Sequence, residues 1–153
     1  MRRFRPLLLT STALLSASVT AVGVASPSFG QTLNSYGMPG AIDTPTAVAP
    51  PEGELSATVS HSDYGRRVTL SFQPVPRLTT ALRYGKIDGI DPKRDSLYDR
   101  SFDVQFQLLN EQPGWKPSLA VGLRDFMGTG VYSSEYLVAT KTVTPRVRVS
   151  AGI

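Results

Sequence analysis

The sequence has no cysteine and a single histidine, His61. Without cysteine there is no disulfide framework, no thiolate metal ligand and no N-terminal cysteine to carry a lipid, so any membrane attachment must come from the fold. One histidine cannot make a multi-histidine metal site, and His61 reads as a loop or strand-end residue. Positive charge is also scarcer than the formal net of +4 suggests, because Arg2, Arg3 and Arg5 sit in an N-terminal stretch with no acidic residue; beyond it 13 basic side chains face 12 acidic ones. That balance lacks the clustered basic face of nucleic-acid binders, so no nucleic-acid partner is expected. Catalytic motifs are missing as well. There is no G-x-S-x-G and no metal-ligand spacing, and Gly122, Gly128 and Gly130 are not followed by the Lys-Ser/Thr of a phosphate loop. Asp99, Asp103, Asp125 and the run Ser133-Ser134-Glu135 are the groups acid/base chemistry could recruit, yet they lack a second histidine or a nucleophile to work with. The expectation is a protein that is not an enzyme, with no catalytic, cofactor or metal residues.

What is present begins with an export signal over residues 1–30. Three arginines precede Pro6, residues 7–24 are an uncharged run of Leu, Ala, Val, Ser and Thr, and small residues follow at Ala25, Ser26, Ser28 and Gly30. Cleavage after Gly30 places Ser28 at the minus-three position; cleavage after Ala25 is the competitor. The run approaches the ~20 residues of a spanning helix, but its Ser and Thr content argues against a retained anchor. Residues 31–53 are Pro/Gly-rich without periodicity, and Pro45, Pro50, Pro51, Gly37, Gly40 and Gly53 exclude a regular helix, leaving an extended lead-in or plug-like segment. Asp43, between Thr44 and Thr46, reads as a turn-forming residue.

From residue 54 to 153 the pattern is that of strands. Phe102, Val104, Phe106 and Leu108 alternate with Ser101, Asp103, Gln105 and Gln107, which puts apolar side chains on one face and polar ones on the other. The same period of two runs through residues 55–60, 67–73, 78–84 and 119–124, more weakly through 135–140, and again through 146–150, for about seven strands. Residues 85–97 read as a long polar loop carrying Asp88, Asp91, Lys93, Arg94 and Asp95. The connections read as short Pro-rich turns alternating with longer loops, the pattern of an up-and-down antiparallel outer-membrane β-barrel. Tyr64, Tyr84, Tyr98, Tyr132 and Tyr136 fall towards the loops, Phe72 and Trp115 towards the turns, as two interfacial girdles would. A soluble periplasmic β-sandwich also alternates, and periodicity leaves both open. The polar face favours the barrel: Arg67, Arg83, Asp103, Arg124, Arg146 and Arg148 are expected to point into a lumen. Asp99 with Arg100, and Arg124 with Asp125, are expected to form structural ion pairs or hydrogen bonds at the loop rim.

Four segments carry a resemblance: GMPGAIDTPTA (37–47), GELSATVS (53–60), YDRSFDVQFQLL (98–109) and PSLAVGLRDFMGTGVYSSEYLVATK (117–141). They resemble the N-terminal part of the YjbH family of bacterial outer-membrane barrel proteins encoded with exopolysaccharide or capsule genes, and the LRDFMGTG and YSSEY pieces are the most distinctive. The resemblance implies a Gram-negative outer-membrane role in polysaccharide secretion or assembly. Its partners would be outer-membrane lipid, polysaccharide and other exopolysaccharide-assembly proteins; it supplies no catalytic residue. Family members are several times longer, and seven strands cannot close a barrel that needs an even number of at least eight. The chain is therefore expected to be an N-terminal fragment or truncated reading frame. As a whole protein it would leave two sheet edges for a partner or a second copy.

Overall fold

The computed structural model describes residues 32–91 and 94–153, and within them the side chains outside 90–95. The expected signal, residues 1–30, and its two cleavage points lie outside the described residues. The chain is all-β: β1 (Gly40–Ala41), β2 (Thr44–Pro45), β3 (Leu55–Ser62), β4 (Gly65–Val75), β5 (Leu78–Asp91), β6 (Arg94–Leu109), β7 (Ser118–Arg124), β8 (Ser134–Thr144) and β9 (Val147–Gly152). β1 and β2 pair in a small hairpin, while β3 to β9 form one antiparallel sheet in which each strand pairs with the next in sequence. The sheet curls into part of a barrel.

Burial on this sheet is inverted relative to a soluble domain. Thr69, Ser71, Gln73, Thr79, Arg83, Ser101, Asp103, Gln105, Ser118 and Thr140 are buried on the concave face. Their apolar neighbours look outward from the convex face, with Leu55 67 %, Val59 78 % and Leu82 61 % exposed. Strict alternation from β3 to β8 produces this, since a pleated strand must send the other half of its side chains to the opposite face. Buried apolar residues are few and mostly small (Met38, Ala47, Ala81, Ile87, Ala120, Val138). Ordinary water-driven collapse would have hidden the other face.

The concave face is covered by residues 32–50. Ser60 Oγ donates to the Ser35 carbonyl at 3.0 Å, Gln105 Nε2 to the Thr46 carbonyl at 2.9 Å, and the Ala47 N–H to Thr140 Oγ1 at 2.8 Å. Ala47 packs against Ala120 and Val138. Gly37 is required by the close approach: its φ is +79°, and a Cβ there would lie 2.5 Å from Thr69 Cγ2 and 2.8 Å from Thr58 Oγ1.

Two expectations are corrected. Residues 85–97 are not a long loop; β5 and β6 continue as a paired hairpin through Gly85↔Asp99, Ile87↔Leu97 and Asp88↔Ser96 to Asp91↔Arg94. Ile87 is buried and the backbone ladder to β6 continues through Lys86↔Tyr98 and Asp88↔Ser96, so cross-strand pairing extends through a stretch with little apolar alternation, while Lys86 and Asp88 form an ion pair along β5 at 2.8 Å. The alternation of short turns with long loops also fails. Residues 63–64, 76–77 and 145–146 are two-residue turns, whereas 110–117 at one end and 125–133 at the other are long. Lys141 bridges the 110–117 connection, bonding Glu111 at 2.9 Å and the Gln112 carbonyl at 2.9 Å; this hydrogen bond holds the Glu111 carboxyl below its ordinary pKa.

Candidate functional site

The candidate side chains sit on the concave face because they occupy the polar parity of their strands. Arg67 lies on β4, Arg83 on β5, Asp103 on β6 and Arg124 at the end of β7, as expected from the period of two. Arg83 and Asp103 meet in a buried, forked pair, Nη1 to Oδ2 at 2.8 Å and Nη2 to Oδ1 at 3.0 Å. Asp103 Oδ1 also accepts the Asp125 N–H at 2.8 Å, tying the ion pair to the loop after β7. Such a pair is held by geometry, with both carboxylate oxygens engaged.

Tyr36, from the covering segment, lies among three guanidiniums. Its ring centroid is 4.6 Å from Arg67 Cζ, 5.0 Å from Arg83 and 3.9 Å from Arg124. The negative ring face offsets the mutual repulsion of these cations. Tyr132 closes the group, edge-on to Tyr36 at 6.2 Å and 5.1 Å from Arg67. Deeper in the concavity, Tyr136 donates its hydroxyl to Gln105 Oε1 at 2.9 Å and lays its ring over Gly122, where a Cβ would come within 2.1 Å of Tyr136 Cζ.

Of the ion pairs or rim hydrogen bonds expected at the loop rim, the aspartates make hydrogen bonds. Asp99 and Arg100 are adjacent in one strand and so point to opposite faces: Asp99 is buried and accepts the Thr129 N–H at 3.1 Å, while Arg100 is exposed beside Tyr84 and Leu82 on the convex side. Arg124 stacks on Tyr36, and Asp125 accepts the Tyr132 N–H at 3.1 Å. Asp99, Asp103 and Asp125 thus act as rim hydrogen-bond acceptors that shape the 125–133 loop. Asp125 Oδ1 finds no hydrogen-bond partner among the described residues. Burial pushes the Asp125 carboxyl above its ordinary pKa, against the lowering effect of the Tyr132 N–H, and the Asp99 charge adds to the rise.

Two of the expected inward arginines are misplaced by the pattern. Arg146 is exposed in the 145–146 turn, with its N–H on Thr144 Oγ1 at 3.3 Å, because the last strand begins only at Val147, one residue later than the alternation suggested. Arg148 keeps the inward parity, two residues from Ser150, but is exposed on the edge strand β9, where it lines a cavity with Asp43 and Thr46. Tyr132 and Tyr136, expected in a girdle, turn inward instead, whereas Tyr84 and Tyr98 stay outside and stack at 6.1 Å. Tyr136 opposes Gly122 in the β7–β8 ladder, and the polar parity of Gly122 was the available signal for its direction. Tyr36 had no periodic signal at all. Among the described residues no group of three His, Asp or Glu side chains is arranged to hold a metal ion.

The sequence profile described as exopolysaccharide biosynthesis protein YbjH, of the YjbH family, matches residues 32–153. An "Uncharacterized lipoprotein YjbH" of Escherichia coli (strain K12) is 35 % identical over 143 residues, covering 84 % of this chain and 20 % of its own length. The chain therefore spans about a fifth of that relative. No solved structure matches significantly. Because the profile runs through the covering segment and all seven strands of the curled sheet, the likeness embraces the whole described structure, and the chain belongs to the YjbH family.

Proposed function

We propose that this chain forms part of the wall of an outer-membrane β-barrel that serves exopolysaccharide secretion or assembly without catalysing a reaction. One observation carries the reading: the sheet hides its polar face and presents its apolar face outward. Lipid is the solvent that makes this arrangement favourable, since each exposed leucine or valine then avoids water at about 25 cal/mol per Å². β4 and β8, of 11 residues each, have the reach of a tilted membrane strand. Tyr84 and Tyr98 mark one interface, and the longer β5–β6 arm continues past it. The concave face, lined by Ser, Thr, Gln and Arg, gives a polar glycan hydrogen-bonding partners without a deep trap.

The matching family's description supports the exopolysaccharide part of the reading. The relative is named a lipoprotein, which supports export to the cell envelope. None of these 153 residues is a cysteine, so within them the convex face, not a thioether-linked lipid, provides the membrane attachment. A periplasmic sandwich is the alternative, with another sheet rather than lipid over the apolar face. Cell fractionation of the full natural reading frame, with gel mobility of the membrane fraction before and after heating, decides between them. Outer-membrane recovery with a heat-dependent shift is expected; soluble periplasmic recovery without a shift would overturn the barrel.

A further inference from the structure

We infer that the mouth of the concave face binds an acidic sugar, with Arg67 taking its carboxylate and the tyrosines its ring. The inference rests on the reading of the barrel as a glycan conduit and names the substrate class. A cavity of about 300 Å³ opens between β3, β4 and the covering segment, lined among others by Tyr36, Tyr64, Tyr132, Arg67 and Asp43. That is at the small end of ligand sites, with room for a single sugar unit rather than a folded partner.

The charges there are unevenly matched. Arg83 spends both arms of its fork on Asp103, but Arg67 meets only the ring faces of Tyr36 and Tyr132 in the described contacts, and Arg124 only those of Tyr36 and Tyr136. A ring face receives the charge of a guanidinium and leaves its in-plane N–H donors to an oxygen acceptor. The acceptor that fits two parallel N–H bonds is a carboxylate or a phosphate. Tyrosines beside such a donor offer flat apolar faces for sugar C–H groups and hydroxyls for sugar oxygens. Asp43, held by Ser35 Oγ in the same cavity, adds an acceptor for sugar hydroxyls and opposes a second anion. A singly charged sugar satisfies this set; a multiply charged phosphate does not.

The test is calorimetric titration of the full-length natural protein in detergent with methyl galacturonoside, a single uronic-acid unit, and, separately, its methyl ester. Binding of the acid, weakened at least tenfold by esterification, is expected. Arg67→Gln should weaken it about 10- to 100-fold, the loss of one charge-assisted hydrogen-bond pair, and Arg67→Lys by less, since it keeps the charge and loses the fork. Unchanged heat-dependent mobility of both variants shows that they fold. Equal binding of acid and ester, an Arg67→Gln titration like the wild type, or displacement by equimolar acetate or inorganic phosphate would each overturn the site. Polymer secretion by the expressing strain is read in parallel. Secretion that needs the protein while the titration fails removes this inference alone, whereas periplasmic recovery removes the conduit reading and leaves the titration to decide the site.

Discussion

Val121 is the place to ask what the convex face touches. It is the fourth of the seven residues of β7, paired with Phe106 on one side and Leu137 on the other, and its side chain points outward. If lipid lies there, Val121→Arg puts a guanidinium near the middle of the apolar band, at a cost of about 2–4 kcal/mol. That is a shift of about 30- to 700-fold in the folding equilibrium. Val143, near the 145–146 turn and 63 % exposed, is the control for depth; Val143→Arg should cost about 0–1 kcal/mol, because its charge reaches the interface. The assay is urea unfolding of the full-length protein in lipid vesicles, followed by the loss of its fast-migrating unheated form. Were the face wet, Val121→Arg would change stability by no more than about 0.5 kcal/mol. A protein cover would make the two substitutions similarly damaging. Either result would refute the lipid argument; only a depth-dependent cost agrees with it.

Three further outcomes follow from the concave side. Asp103→Asn leaves the Arg83 guanidinium buried without its counter-charge and should cost about 3–5 kcal/mol in the same unfolding assay, more than any exposed-pair substitution such as Lys86→Ala. Gly37→Ala places a methyl against Thr69 at a positive φ, so the covering segment should lift from the wall and become cleavable by added protease while the strands stay protected. Asp125 sets a pH dependence of definite sign. Its carboxyl is raised in the folded state, so its favourable contribution is complete below the unfolded value near 3.9 and is lost as pH rises through the folded pKa. Asp125→Asn should therefore flatten the loss of stability from acidic to neutral pH, measured by unfolding at several pH values; an unchanged slope would exclude Asp125 as its source.

The sequence made the wall legible and the inside of the mouth obscure, for a physical reason. In β6 the alternation of Phe102, Val104 and Phe106 with Ser101, Asp103 and Gln105 is a local property, and it alone places Arg83 and Asp103 on the same side as Arg67 and Arg124. The β5–β6 arm beyond Tyr84 and Tyr98 leaves the apolar band and carries acidic and basic residues, so its period of two largely disappears although its backbone ladder continues. Nothing local distinguishes such an arm from a loop; the partner strand decides. The same holds for Tyr36, whose three guanidinium neighbours come from β4, β5 and β7, between 31 and 88 residues away in sequence. Arg100 and Arg146 show the converse limit, because a sign of charge says nothing of direction until strand parity and strand end are known.

If a polymer runs along the concave face beyond the mouth where Tyr36 and Asp43 would hold one sugar unit, it must displace the deeper part of the covering segment, which hydrogen-bonds the wall through Thr46 and Ala47. The hydrogen bonds of that deeper part through Thr46 and Ala47 contribute about 1 kcal/mol each and the apolar contact at Ala47 is small, whereas Tyr36, stacked among three guanidiniums, stays in place. Displacement is thus within the range that a bound glycan could supply. None of these 153 residues is a cysteine, so within them one engineered pair is the sole source of disulfide. Ala47 and Ala120 share a buried cluster, so Ala47→Cys with Ala120→Cys should close oxidatively and pin the segment to β7. If the polymer passes through the lumen, secretion should stop in the oxidised double variant, return on reduction, and persist in each single variant. Undiminished secretion with the disulfide demonstrably formed would mean that the glycan travels without moving the segment, and the concave face would then have to be an assembly surface instead of a path.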